Sequence, residues 1–166
     1  RLNNEEVKML NACRVESVET VQRANLKILN QLRNYRDVWQ DSLVSAERYL
    51  LALYSLKAAT HLALTSQRKH FGMAIIRPGL RFEDPLDINA FKLAILSNSI
   101  VVPTWQSWLD GMNDRFSYVA VQPMAYVGRR YDVVFEPVEI ERLFHAEKFM
   151  RWIVIKVLSN QTNVIC

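Results

Sequence analysis

Few residues in this chain have the type and spacing for chemistry. It has three histidines, His61, His70 and His145, scattered along its length. Glu141 and His145 stand four apart, which on a helix sets both on one face, as two metal ligands can be. A metal centre needs further ligands at comparable spacing, and no second pair follows. The pair therefore reads as a surface hydrogen bond, and neither a metal nor a cofactor is expected. Glu83, Asp84, Asp132 and Glu136 bring acid close to segments that read as extended, a setting for metal-assisted hydrolysis. Such nuclease sites place a lysine soon after the second carboxylate, whereas Pro137 and Val138 follow Glu136 here. Cys13 has no neighbouring histidine to activate it and reads as a small packing residue. There is no glycine-rich phosphate loop and no serine in a nucleophile elbow. With four glycines in 166 residues, tight ligand-cradling loops are scarce, and the expectation is a protein that is not an enzyme.

One constellation remains. Tyr126, Arg129, Arg130 and Tyr131 cluster around a turn, with Arg115, Phe116 and Tyr118 nearby in sequence. Arginines interleaved with aromatics can clamp phosphates and stack on bases. The same residue types dominate protein–protein contacts, or can be a solvated turn flanked by core aromatics.

The element that must carry the rest is the first 71 residues, which hold no glycine and no proline and are rich in good helix formers. Within them Val18, Val21, Asn25, Ile28, Leu32, Tyr35 and Trp39 recur at spacings of three and four, a narrow apolar seam suited to helix-on-helix contact. Either one long helix or a helical hairpin fits. A hairpin would break near Asp37–Ser42, with Asp41 or Ser42 as N-cap, while the absence of glycine there favours continuity. Asn25 on the seam reads as a register-setting polar residue of a coiled coil, or as a polar interruption inside a hairpin core.

After residue 71 the pattern changes. Phe71–Ile76 reads as a strand, Pro78-Gly79 as a turn and Leu80–Phe82 as a return strand. Asp84-Pro85 opens a helix that buries Ile88, Phe91, Leu93, Ile95 and Leu96 and stops near Asn98. Ile100–Val102 is a short strand, and Thr104 caps a short helix carrying Trp105, Trp108 and Leu109. Tyr118–Val127 reads as extended, with Pro123 marking an edge or bulge. Alternation over Tyr131–Glu136 predicts a strand pairing back on it, and a last helix runs from about Val138 to Leu158. The expected fold is α+β and predominantly helical. A long N-terminal helix or hairpin (1–71) precedes a small α+β module (72–166), whose antiparallel sheet carries packed helices.

The formal charge is +4, and the excess lies before residue 72, notably at Arg14, Arg23, Lys27, Arg33 and Arg36. No apolar run is long enough for a membrane span, and two cysteines at opposite ends, Cys13 and Cys166, suit an intracellular setting. Together these features predict a non-catalytic structural or assembly subunit. Its seam would bind partner helices, either of its own copies or of other subunits. The alternative is a nucleic-acid-associated protein using the basic helix face and the Arg129-Arg130 tip.

Overall fold

The computed structural model describes residues 18–67, 69–77, 79–136, 143–159 and 163–165; within these, the side chains of 18–22, 24, 157–159 and 163–165 are not described. The first described elements are two helices, α1 (Val18–Leu32) and α2 (Val44–Thr65), which pack against each other as a hairpin. The break between them contains no glycine. Instead Gln40, Ser42 and Leu43 take φ angles of 53°, 58° and 69°, in the left-handed region that costs an L-residue roughly 1–2 kcal/mol. Asp37 offsets this strain. Its carboxylate accepts the N–H groups of Trp39 and Gln40 at 3.1 Å each and that of Leu43 at 3.2 Å. Asp41 accepts from the Ser45 N–H at 3.0 Å, satisfying a first-turn amide of α2 although Leu43 occupies the cap position. A carboxylate holding three amides replaces the glycine, so the missing glycine is no argument for one continuous helix.

Among the described residues the remaining elements are β1 (Arg36–Asp37), β2 (Gly72–Ile76), α3 (Ile88–Leu96), β3 (Ser99–Val101), β4 (Phe116–Ala120), α4 (Val121–Gly128), a 3-10 turn (Arg130–Val133), β5 (Leu143–Phe144), α5 (Ala146–Ser159) and β6 (Asn163–Ile165). The main sheet has the order β2-β4-β3-β6. Its first three strands are antiparallel, and β6 runs parallel to β3. A separate two-residue parallel ladder joins β1 to β5. The architecture is a predominantly helical α+β fold, as the sequence predicts.

All five residues of β4 are buried, because each face of the strand meets a different core. Phe116 and Tyr118 pack with Ala94 of α3, while Val119 joins the main core. That core unites Leu50 and Leu53 of α2 with Leu32 of α1, Val127 of α4 and Val154 of α5. Gly128 lets α4 approach α2 closely, since a Cβ there would stand 2.0 Å from Thr60 Oγ1.

Several expected elements are absent or displaced. Tyr118–Val127 is not one extended segment: the chain leaves β4 at Ala120 and enters α4, with Pro123 in its first turn. A proline is tolerated there because first-turn N–H groups lack intrahelical partners anyway. The strand expected over Tyr131–Glu136, and the hairpin it would close, are replaced by the 3-10 turn. Met124, Val127, Tyr131 and Val134 are all buried, and their spacing of three and four is helical rather than period-two. Leu80–Phe82 forms no strand, and 104–111 forms no helix, with Gln106, Leu109 and Asp110 at positive φ. Asp87, not Asp84, caps α3, accepting the N–H groups of Asn89 and Ala90. Within α3 only Ala94 is fully buried, while Ile88, Leu93 and Leu96 are exposed. The last helix begins at Ala146, and residues 137–142, including Glu141, lie outside those described.

Candidate functional site

A cavity of about 400 Å³ opens where six separate pieces of the chain meet. Ser45, Arg48 and Tyr49 line it from the first turns of α2, their spacing of three and four setting them on one face. Trp39 comes from the hairpin turn, Arg77 follows β2, Arg115 precedes β4, Trp108 and Leu109 come from the β3–β4 connection, and His145, Ala146 and Glu147 form the start of α5.

Local bonding explains how these pieces converge. The β1–β5 ladder pairs Asp37 with Phe144, which brings Trp39 onto His145 with ring centroids 5.4 Å apart and planes within 13°. The Arg77 N–H donates to the Arg115 carbonyl at 2.7 Å, so the two arginines leave the sheet side by side. Asn113, wholly buried, accepts the N–H groups of Arg115 and Phe116 and donates to the Trp105 carbonyl, which fixes the approach to β4. Gly111 lies against Glu147: a Cβ there would fall 2.4 Å from the Glu147 carbonyl carbon. The adjacent Met112 N–H donates to the Glu147 carbonyl at 2.9 Å.

The electrostatics are unusual for a small core. Asp114, Arg130, His145 and Glu147 are all buried. Asp114 stands 3.5 Å from Arg77 Nη1 and 3.9 Å from Arg115 Nε, long distances for a buried carboxylate. Arg130 donates to the Val127 carbonyl at 3.0 Å and to the Asp114 carbonyl at 3.5 Å. His145 Nδ1 lies 3.2 Å from Glu147 Oε2 but makes no aligned hydrogen bond. Burial pushes Glu147 above its ordinary 4.5, reinforced by Asp114 and opposed by Arg115 and Arg77. Burial also pulls His145 below 6.5, with Asp114 opposing and Lys148 adding to the shift. The Tyr49 hydroxyl is raised, again by burial, against the charge and the close side-chain contact of Arg130; that contact is not aligned as a hydrogen bond. Histidine and glutamate are thus both driven toward their neutral forms.

Of the residues singled out from sequence, Trp39, Arg115 and His145 line the cavity, and the others fall elsewhere. On the seam Asn25, Ile28 and Leu32 are buried in the chain's own core, and Tyr35 and Trp39 pack against it; the side chains of Val18 and Val21 lie outside those described. The cluster around the expected hairpin tip is split: Arg130 and Tyr131 are buried, Tyr126 is exposed, and the half-exposed Arg129 side chain lies 3.5 Å from Asp132. The fold instead joins one member of each set, the Tyr131 hydroxyl donating to Asn25 Oδ1 at 2.8 Å. Asn25 is therefore the polar interruption of a hairpin core. Arg23, Lys27, Arg33 and Arg36 remain exposed on and just after α1.

Sequence reasoning found Trp39, as the end of the seam, and Arg115, and found His145 only as a partner of Glu141. Arg77, Asp114, Tyr49 and Glu147 were missed. The one usable signal is the polar triplet Asn113-Asp114-Arg115 set directly before the apolar strand. Among the described residues, no group of three or more His, Cys, Asp or Glu could hold a metal ion, and no helix is long and apolar enough to cross a membrane. No family model, curated protein or solved structure matches this chain.

Proposed function

We propose that this protein is a non-catalytic binding subunit that docks an acidic segment of a partner protein on the face where the cavity opens. The observation that carries this reading is the composition of wall and rim: three arginines against one glutamate, with Trp39, Trp108 and Leu109. Trp108 and Leu109 are exposed. Tryptophan and arginine are the residue types that dominate binding hot spots, and the basic excess selects for acid. The assembly role expected from sequence keeps its kind but moves from the α1 seam to this face.

The test is fluorescence titration of the whole chain with an Asp/Glu-rich peptide containing one aromatic residue, beside a Lys-rich control. The acidic peptide alone should bind, and Trp108→Ala should weaken it by about tenfold or more. Binding unchanged by Trp108→Ala and by Arg115→Glu contradicts the reading. A second reading, nucleic-acid association, draws on the exposed Arg23, Lys27, Arg33 and Arg36. It predicts binding that falls steeply with salt, and absence of binding at low salt removes it.

A further inference from the structure

We propose that the cavity itself is a receptor for a single oxyanion, a phosphate or carboxylate carried on an organic group, held by Arg48, Arg115 and the Tyr49 hydroxyl. This deepens the docking reading and rests on it for the source of the anion.

Unpaired polar atoms carry the argument. Nine buried side-chain nitrogens and oxygens have no hydrogen-bond partner among the described residues; Tyr49 Oη, Arg115 Nε and His145 Nδ1 belong to residues lining this cavity, and Asp114 Oδ1 and Arg130 Nε to residues beside them. A buried polar group without a partner is destabilising, so such groups gathered at one place need a cause beyond folding. Tyr49 is only 3 % exposed and lines the cavity. Its hydroxyl can donate, as can every arginine nitrogen. The Tyr49 hydroxyl and the guanidinium groups of Arg48 and Arg115 line the same space, and donors so placed are satisfied by a group that is all acceptor, which an oxyanion is.

Charge and position agree with this. Arg48 forms no ion pair among the described residues, and Asp114 divides its charge between Arg77 and Arg115 at long range. The start of the 14-residue helix α5 also faces the cavity through His145, Ala146 and Glu147, adding the positive end of its dipole. The volume of about 400 Å³ exceeds by an order of magnitude the roughly 30 Å³ that one water occupies in the liquid, and so is larger than a bare oxyanion needs. An anion borne by a side chain or a small molecule fits the space.

The experiment is thermal unfolding of the whole chain titrated with inorganic phosphate or with glutarate, ionic strength held constant with chloride. Saturable stabilisation is expected, with affinity lowered about tenfold or more by Arg48→Ala and several-fold by Tyr49→Phe. Tighter binding of phosphate assigns a phosphorylated ligand, and tighter binding of glutarate a carboxylate; either supports the receptor. No saturation with either anion, or a response that Arg48→Ala and Tyr49→Phe leave intact, overturns it. If the acidic peptide still binds through Trp108 while the small anions do not, the receptor fails and the docking reading stands. If the small anions bind but the peptide does not, the docking reading fails alone.

Discussion

Tyr131 and Tyr49 are both buried aromatic alcohols in the main core, yet their hydroxyls are treated differently. Tyr131 spends its proton on Asn25 at 2.8 Å and sets its ring edge-on to Tyr54, closing the hairpin onto the second half of the chain. Tyr49 packs its ring on Phe144 with centroids 5.7 Å apart, but its oxygen meets no aligned partner. Around Tyr131 the buried polar group is an internal tie. Around Tyr49 buried polar groups accumulate beside a cavity, and burial moves three of them, Tyr49, His145 and Glu147, away from their ordinary pKa values. Stability accounts for the first region, whereas the second keeps groups that stability alone would discard.

The comparison can be broken from either side. The largest effect lies in the shared core, where Leu50 is wholly buried: Leu50→Ala should cost about 2–5 kcal/mol in urea unfolding and leave the order of the smaller effects unchanged. Tyr131→Phe leaves Asn25 Oδ1 buried without its donor and should cost about 1–3 kcal/mol. If this variant is as stable as the parent, the tie is not structural. Gly111→Ala forces a Cβ into the Glu147 backbone. It should cost about 1–3 kcal/mol and perturb the cavity, read as a change in Trp39 and Trp108 fluorescence.

Acid and base probe the second region with opposite signs. The folded pKa of His145 is below 6.5, so its share of stability is complete above pH 6.5 and is lost as pH falls toward the depressed value. The folded pKa of Glu147 is above 4.5, so its share is complete below pH 4.5 and is lost as pH rises through the raised value. His145→Gln should flatten the acid side of a stability–pH curve, and Glu147→Gln should raise stability at neutral pH relative to the parent. A curve that both variants leave unchanged would mean that neither group is held away from its ordinary titration.

The sequence made the local elements legible and the site almost invisible. Spacing of three and four marked the helical region that holds α1 and α2, and short apolar runs beside glycine or proline marked β2 and β3, whereas the period-two alternation over Tyr131–Glu136 pointed to a strand where a 3-10 turn stands. Over α4 two local signals compete: Pro123 suits a strand edge as well as a first helical turn, and the helical spacing of the buried Met124, Val127, Tyr131 and Val134 is the one the fold follows. The seam was legible as a seam, but a sequence does not say whether a partner helix lies in another chain or twenty residues on; here α2 fills it. The cavity depends on a two-residue ladder between 36–37 and 143–144 and on one backbone bond from Arg77 to Arg115. Neither has a repeating pattern, so the meeting of Trp39, Tyr49, Arg115 and Glu147 cannot be read from spacing.

The smallest of these effects is the most direct test. Urea unfolding of Tyr49→Phe, measured without any added anion, asks whether the hydroxyl serves the fold. The account predicts a variant more stable than the parent, by on the order of 1 kcal/mol, because a buried donor without a partner is removed. A loss of stability comparable to that of Tyr131→Phe would show that both tyrosines are internal ties, and would contradict the division of the core into a structural region and a binding site.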